Sequence, residues 1–151
     1  MILVRKVMVI ICVLMIHSAA FAGELLMVRV KQAFPEAMTD LQNAIIKRGY
    51  KIARVQRVDI GLTTANYKTD LYRVVFFGKA DEMDHVSRVH PDFVVFLPLN
   101  VSIFAEDGQT LLVAVDPDQL AEMYPDPNLK VYLKRWKVDI EAILHSVAAA
   151  K

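Results

Sequence analysis

The sequence predicts an α+β fold: a single compact domain with a mostly antiparallel sheet, packed helices and an extra C-terminal amphipathic helix. Three observations predict it. Short runs rich in β-branched and aromatic residues recur between Gly, Pro and Asp punctuation, as half-buried strands require. Asp107-Gly108 stands between two apolar runs and is the strongest short-range signal for a hairpin, hence for antiparallel pairing. Leu129, Leu133, Trp136, Ile140, Ile143, Leu144 and Val147 form one stripe at helical spacing.

Taken in order, residues 24–30 form a Val-rich first strand. Pro35 suits a first helical turn, Phe34 packs as a staple before it, and Ala37, Leu41, Ala44 and Ile45 share one side of a helix over 35–48. Lys47 and Arg48 complement the negative end of its dipole, and Gly49 supplies the C′ residue. Residues 50–60 read as a twisted, bulged strand and 61–70 as a polar connection of low order. Residues 71–77 are a strong strand, expected to be buried on both faces over its second half. A short helix over 80–89 must end before His90-Pro91, because the residue preceding proline is kept out of the helical region. Strands over 99–105 and 110–115 flank the Asp107-Gly108 turn. Asp116-Pro117 opens a short helix to about Tyr124, 125–128 is linker and cap, and the amphipathic helix fills about 129–147. The order β-α-β-β-α-β-β-α-α does not alternate strictly, which points to α+β rather than a parallel sheet.

The chain has 151 residues, 55% hydrophobic and 23% charged, with one cysteine and a net charge of +1. The near-balanced charge excludes a protein that coats nucleic acid by bulk electrostatics. The apolar fraction exceeds the ~45–50% of soluble domains, and much of the excess sits at the front. Arg5 and Lys6 precede an uncharged apolar run over 7–16, and small residues follow, with Ala20 and Ala22 in an Ala-x-Ala arrangement. This is the pattern of a secretory signal cleaved after Ala22, since the pockets of signal peptidase accept only small side chains there. Residues 1–22 are therefore read as a cleaved signal, 23–128 as the α+β domain and 129–151 as the C-terminal helix. Cleavage removes two basic residues and no acidic one, turning +1 into −1, and takes Cys12 with it. The processed chain then has no thiol for catalysis, disulfide exchange or haem attachment. A periplasmic or secreted address follows, with no stable membrane span after cleavage.

Within the domain, Lys47-Arg-Gly-Tyr-Lys-Ile52, Arg73-Val-Val-Phe-Phe-Gly78, Leu97-Pro-Leu-Asn-Val-Ser-Ile-Phe-Ala-Glu-Asp-Gly108 and Asp116-Pro117 occur in this order. The series resembles the domain of unknown function 302 family over roughly 25–124. The sequence departs from that pattern at Lys79-Ala80, where the family has Asn-Pro, and at Asn100, where it commonly has Lys. The resemblance implies a compact α+β fold, often a homodimer, with no settled activity and with the C-terminal helix as an addition.

Candidate chemistry is sparse. Asp81 and His85 would share a helix face at i, i+4 with Asp84 adjacent, a set of oxygen and nitrogen ligands suited to zinc, copper or iron, and His90 lies five residues on. Asp81, Asp84, His85 and His90 are thus the metal candidates, although acidic residues also open helices simply to complement the dipole. Glu141 and His145 read as an ordinary helix-surface pair. Asp116 and Asp118 read as turn and cap residues. Lys130, Lys134, Arg135 and Lys137 read first as a solvated helix face; contact with an acidic partner, or with anionic headgroups through Trp136, are the other readings. No Gly-x-Ser-x-Gly, His-Glu-x-x-His, P-loop or dinucleotide motif is present.

These features favour a non-catalytic exported domain that binds a ligand or protein partner in the periplasm and requires no cofactor. The alternative is a metal- or haem-linked redox accessory using His85 and His90. A third reading is a structural interaction protein that associates through its last helix.

Overall fold

The computed structural model describes residues 25–150. The segment 1–22 read from the sequence as a signal, with Cys12, lies outside the described residues, as does Glu24 of the first predicted strand.

Strands β1 (Leu25–Val30), β2 (Lys51–Arg57), β3 (Tyr72–Gly78), β4 (Leu99–Glu106) and β5 (Gln109–Val115) form one sheet. Their order is β1-β5-β4-β3-β2, and every neighbouring pair is antiparallel. The helices are α1 (Phe34–Lys47), α2 (Val58–Thr64), α3 (Ala80–Val89) and α4 (Pro127–Ala149), with 3-10 helices at Pro91–Phe96 and Pro117–Ala121. The single α+β domain read from the sequence is the observed one.

Local chemistry explains the best-read elements. Pro35 sits in the first turn of α1, and Phe34, Ala37, Leu41, Ala44 and Ile45 are its buried side. Gly49 follows at φ +80°, a conformation that disfavours any side chain, and its N–H donates to Ile46 O at 2.9 Å. Asp107 and Gly108, both at positive φ, join β4 to β5 in a two-residue turn of the primed type that matches strand twist. The irregularity expected in the second strand is a register shift between Ile52 and Arg54. Helix α4 starts at Pro127, two residues earlier than its pattern predicts, because Asp126 Oδ1 accepts from the N–H groups of Asn128 and Leu129. The seven stripe residues are the buried residues of this helix.

Three expectations need correction. Val58 to Ile60 belong to α2 rather than to a strand, and α2 occupies part of the predicted connection. Asp59 favours its N-terminal turn, and Asp59 also pairs with Arg73 of β3. The short helix after Asp116-Pro117 is a 3-10 helix that ends at Ala121. The second half of β3 is buried on one face only: Val75 and Phe77 are fully buried, whereas Phe76 is half-buried.

That asymmetry describes the whole sheet. Leu26, Val28, Val75, Phe77, Val101, Ile103 and Leu112 point to the layer built by α1 and α4, which lie against each other. The pairs Met27↔Val113, Ser102↔Val113 and Phe76↔Asn100 project from the opposite side. The core thus has one sheet and one helical layer. Burial of each large side chain there contributes about 1.5–3 kcal/mol of transfer free energy.

Candidate functional site

Where the ends of β4 and β5 meet α4, the helical layer does not close over the sheet. The two 3-10 helices bridge the gap and leave an apolar cavity of about 170 Å³. Phe93 and Phe96 come from the first 3-10 helix, Leu133 and Trp136 from α4, and Asn100 from β4. Pro91 and the restricted residue before it break α3 from this segment, so that Phe93 turns inward and is fully buried. Its ring lies 5.2 Å from Phe96, 4.9 Å from Tyr124 at 81°, and 6.3 Å from Trp136. These are edge-on and tilted contacts of the kind aromatic quadrupoles favour.

A polar network fixes the Trp136 wall. Trp136, fully buried, donates from Nε1 to Glu82 Oε2 at 3.0 Å, and Arg135 donates from Nη1 to Glu82 Oε1 at 2.7 Å. Lys79 Nζ stands 3.6 Å from the same Oε1 and 4.6 Å from the centre of the Tyr50 ring. Burial opposes the charged form of Glu82, but the bonds from Arg135 and Trp136 outweigh it and hold the carboxyl below its usual range. Tyr50 donates to Asp139 Oδ2 at 2.7 Å, and Arg48 donates to Oδ1 at 3.0 Å. Burial, then the bond to anionic Asp139, pushes the Tyr50 phenol far up. On the other flank, fully buried Asp116 accepts from Lys137 Nζ at 2.5 Å and from the Asp118 N–H at 2.9 Å.

The predicted metal candidates are distributed otherwise. Asp81 is exposed at the start of α3, and Asp84 pairs with Arg88. His85 and His90 do come together as lining of one open groove of about 500 Å³, with Val89, Val131 and Tyr132, and the His85 ring lies 6.0 Å from that of Tyr132. Among the described residues, no group of three or more His, Cys, Asp or Glu converges as metal ligands do.

Sequence reasoning missed Glu82, which stood beside the candidates and read as one more acidic helix-start residue. It also assigned Arg135 and Lys137 first to a solvated face. Both instead pair with buried carboxylates. The available signal was their position early in α4, unfavourable to the helix dipole and so in need of a partner. Asp116 is the turn and cap residue expected of it. The two departures from the resembled pattern flank Trp136: Lys79 in the Glu82 network and Asn100 at the cavity.

The model of the family described as Domain of unknown function DUF302 matches residues 26–147. The chain is also similar to the crystal structure of an uncharacterized conserved DUF302 protein from Bacillus stearothermophilus. Sequence identity is 19% and the TM-score 0.74, with 82% of this chain and 97% of that one covered, a likeness of fold. Among curated proteins, none matches. The family match runs beyond residue 124 and takes in most of α4, whose stripe is continuous with the core. The chain therefore belongs to the DUF302 family of domains of unknown function.

Proposed function

We propose that the protein is a non-catalytic binding domain, exported to the periplasm or beyond, whose ligand is a small neutral molecule with an apolar, ring-sized body. The observation that carries this reading is the cavity of about 170 Å³ walled by Phe93, Phe96, Leu133 and Trp136. Engineered apolar cavities of ~150 Å³ take up benzene, so the space suits a ligand of one or two rings. Lysine or arginine does not line the space, which disfavours a carboxylate or phosphate ligand. Trp136 is the one tryptophan of the chain, so its emission reports the cavity directly. Toluene and 1-hexanol are expected to shift that emission saturably and to raise the unfolding midpoint. A linear, unsaturable response to both would remove the reading. A covalent product in the mass spectrum of natively purified protein would remove its non-catalytic part.

The export half rests on the tripartite segment 1–22. N-terminal sequencing of protein from a periplasmic extract is expected to begin at Gly23. A chain retained in the cell pellet with Met1 intact would count against it.

A second reading, a metal- or haem-linked accessory, is favoured by the placement of His85 and His90 in one groove. Two imidazoles there would supply half of a tetrahedral set, with water completing it. Calorimetric titration with Zn²⁺ and Cu²⁺, and a visible spectrum with added haem, test it. Heat or colour that persists in a His85→Ala, His90→Ala variant would exclude this groove.

A further inference from the structure

We infer that the body seated in the cavity is the end of an unbranched alkyl or acyl chain with an uncharged head, and that the rest of the chain lies along a strip of side chains on the open face of β5 and β1. This names the class of ligand and rests on the cavity being the binding site. Val95 and Val115 line the cavity and are 76% and 57% exposed, so they stand at its mouth. Val115 also pairs with Leu25 on the sheet side away from α1 and α4. The next pair on that side is Val113 with Met27, and both Leu25 and Met27 are about half exposed. Two apolar cross-strand pairs therefore continue the mouth of the cavity with no polar side chain between them. Beyond them Leu111 pairs with Arg29. Leu111 is only 6% exposed although it lies on the open side, because Phe104 flanks it and Arg29 of β1 joins Glu106 of β4 across β5. That ion pair is the far end of the strip.

Shape and charge choose the occupant. The strip is one cross-strand pair wide, with ~4.8 Å between strands, and runs about 13 Å from Leu25 to Arg29 at ~3.3 Å per residue. That is the outline of a linear chain, and a fused ring system is too broad for it. An extended peptide laid on these side chains would leave its own N–H and C=O groups unpaired, since β4 and β1 take the backbone groups of β5 on either side. An alkyl chain carries no such groups. Arg29 and Glu106 satisfy each other, so an anionic head would meet Glu106 and a cationic head Arg29. The exposed cations Lys51 and Arg54 are on β2, with Arg54 opposite Phe76. They stand three strand spacings from β5, about 14 Å, and do not reach the strip. A methylene wholly removed from water contributes about fourfold in affinity, and one covered on a single side about twofold.

Calorimetric titration of the purified protein with toluene, 1-hexanol and 1-decanol tests this. Toluene fits within the cavity and reports on it alone. 1-Decanol is expected to bind at least tenfold more tightly than 1-hexanol, about twofold for each of four added methylenes. Met27→Gln and Val113→Thr are each expected to lower the 1-decanol affinity at least threefold and to leave the toluene affinity unchanged. Circular dichroism checks folding, and Met27, already half exposed, carries the test if Val113→Thr unfolds. 1-Decanol binding no more tightly than 1-hexanol, while toluene still binds, overturns the inference and leaves the cavity a site for small rings. A tenfold gain that survives Met27→Gln overturns it too, because the chain then follows another path. Failure of toluene as well removes the cavity reading itself. A Met27→Gln variant that changes the gel-filtration mass or vesicle binding, with no dependence on chain length, assigns the face to a second copy or a bilayer and overturns the inference.

Discussion

Trp136 donates its indole N–H to Glu82 at 3.0 Å, so a carboxylate on α3 sets the attitude of a cavity wall on α4. The same carboxylate accepts from Arg135, which leaves neither of its oxygens idle. Glu82→Leu strands a buried N–H and a guanidinium. Discounted for the partial exposure of Arg135, the cost is about 2 kcal/mol. Urea unfolding followed by Trp136 emission measures it, and a changed native emission maximum is expected as the ring loses its anchor. The Glu82 pKa is depressed by folding. Its stabilisation is therefore fully present above the unfolded value of ~4.3 and is lost as pH falls through the lower folded value. Wild type should lose more stability than the Leu variant over that acid interval.

The Asp116–Lys137 pair behaves oppositely with pH. Hydrogen bonding to Asp116, the largest influence, raises the Lys137 pKa. Its contribution is present below the unfolded lysine value of ~10.4 and is lost as pH rises through the folded one. Lys137→Met leaves a wholly buried carboxylate without its cation and should cost about 3 kcal/mol at neutral pH. Asp116→Asn combined with Lys137→Met should recover part of that loss in a double-mutant cycle. A double variant whose cost equals the sum of the Asp116→Asn and Lys137→Met costs would show that the pair is not coupled.

Helix α4 was legible because its period persists over many turns, so the buried stripe could be named residue by residue. Helix α2 was not, since seven residues hold too few repeats and Gly61 inside them reads as a breaker. The uncovered face of β3 was illegible for a different reason. Period-2 reading needs a polar side, and Tyr72, Val74 and Phe76 supply none. The Glu82 site depends on partners 53 and 54 residues away, and the Asp116–Lys137 pair on a separation of 21. Local pattern carries no information on such meetings; only the path of the sheet creates them. His85 and His90, by contrast, line one groove at a helix end that His90-Pro91 announces.

Tyr50 should betray its burial in an alkaline titration at 295 nm. With the phenol desolvated and donating to Asp139, it is expected to ionise only as the protein unfolds. Tyr50→Phe should abolish that late step and cost about 1 kcal/mol, because Arg48 still serves Asp139. A late step that persists in the variant would assign it to another tyrosine.

The β4–β5 turn offers a backbone test. Gly108 at φ +73° has open space where a Cβ would stand, so Gly108→Ala probes conformation alone. A cost of about 1 kcal/mol is expected from forcing alanine into the left-handed region. Asp107→Asn, which suits the same turn, should change the midpoint little. Equal midpoints for wild type and Gly108→Ala would mean that the turn relaxes to another type.

Leu133 separates the role of the cavity in binding from its role in stability. The side chain is fully buried and lines the space beside Trp136. Leu133→Ala enlarges an existing void and should cost about 3 kcal/mol. Leu133→Phe adds volume where volume is free, so its cost should stay within about 1 kcal/mol. For a ligand-holding cavity, the Phe variant should lose toluene affinity at least tenfold while remaining folded. The Ala variant should accept a larger ring than wild type does. Calorimetric titration alongside thermal unfolding decides the matter: toluene affinity unchanged in Leu133→Phe would place the binding somewhere other than this cavity.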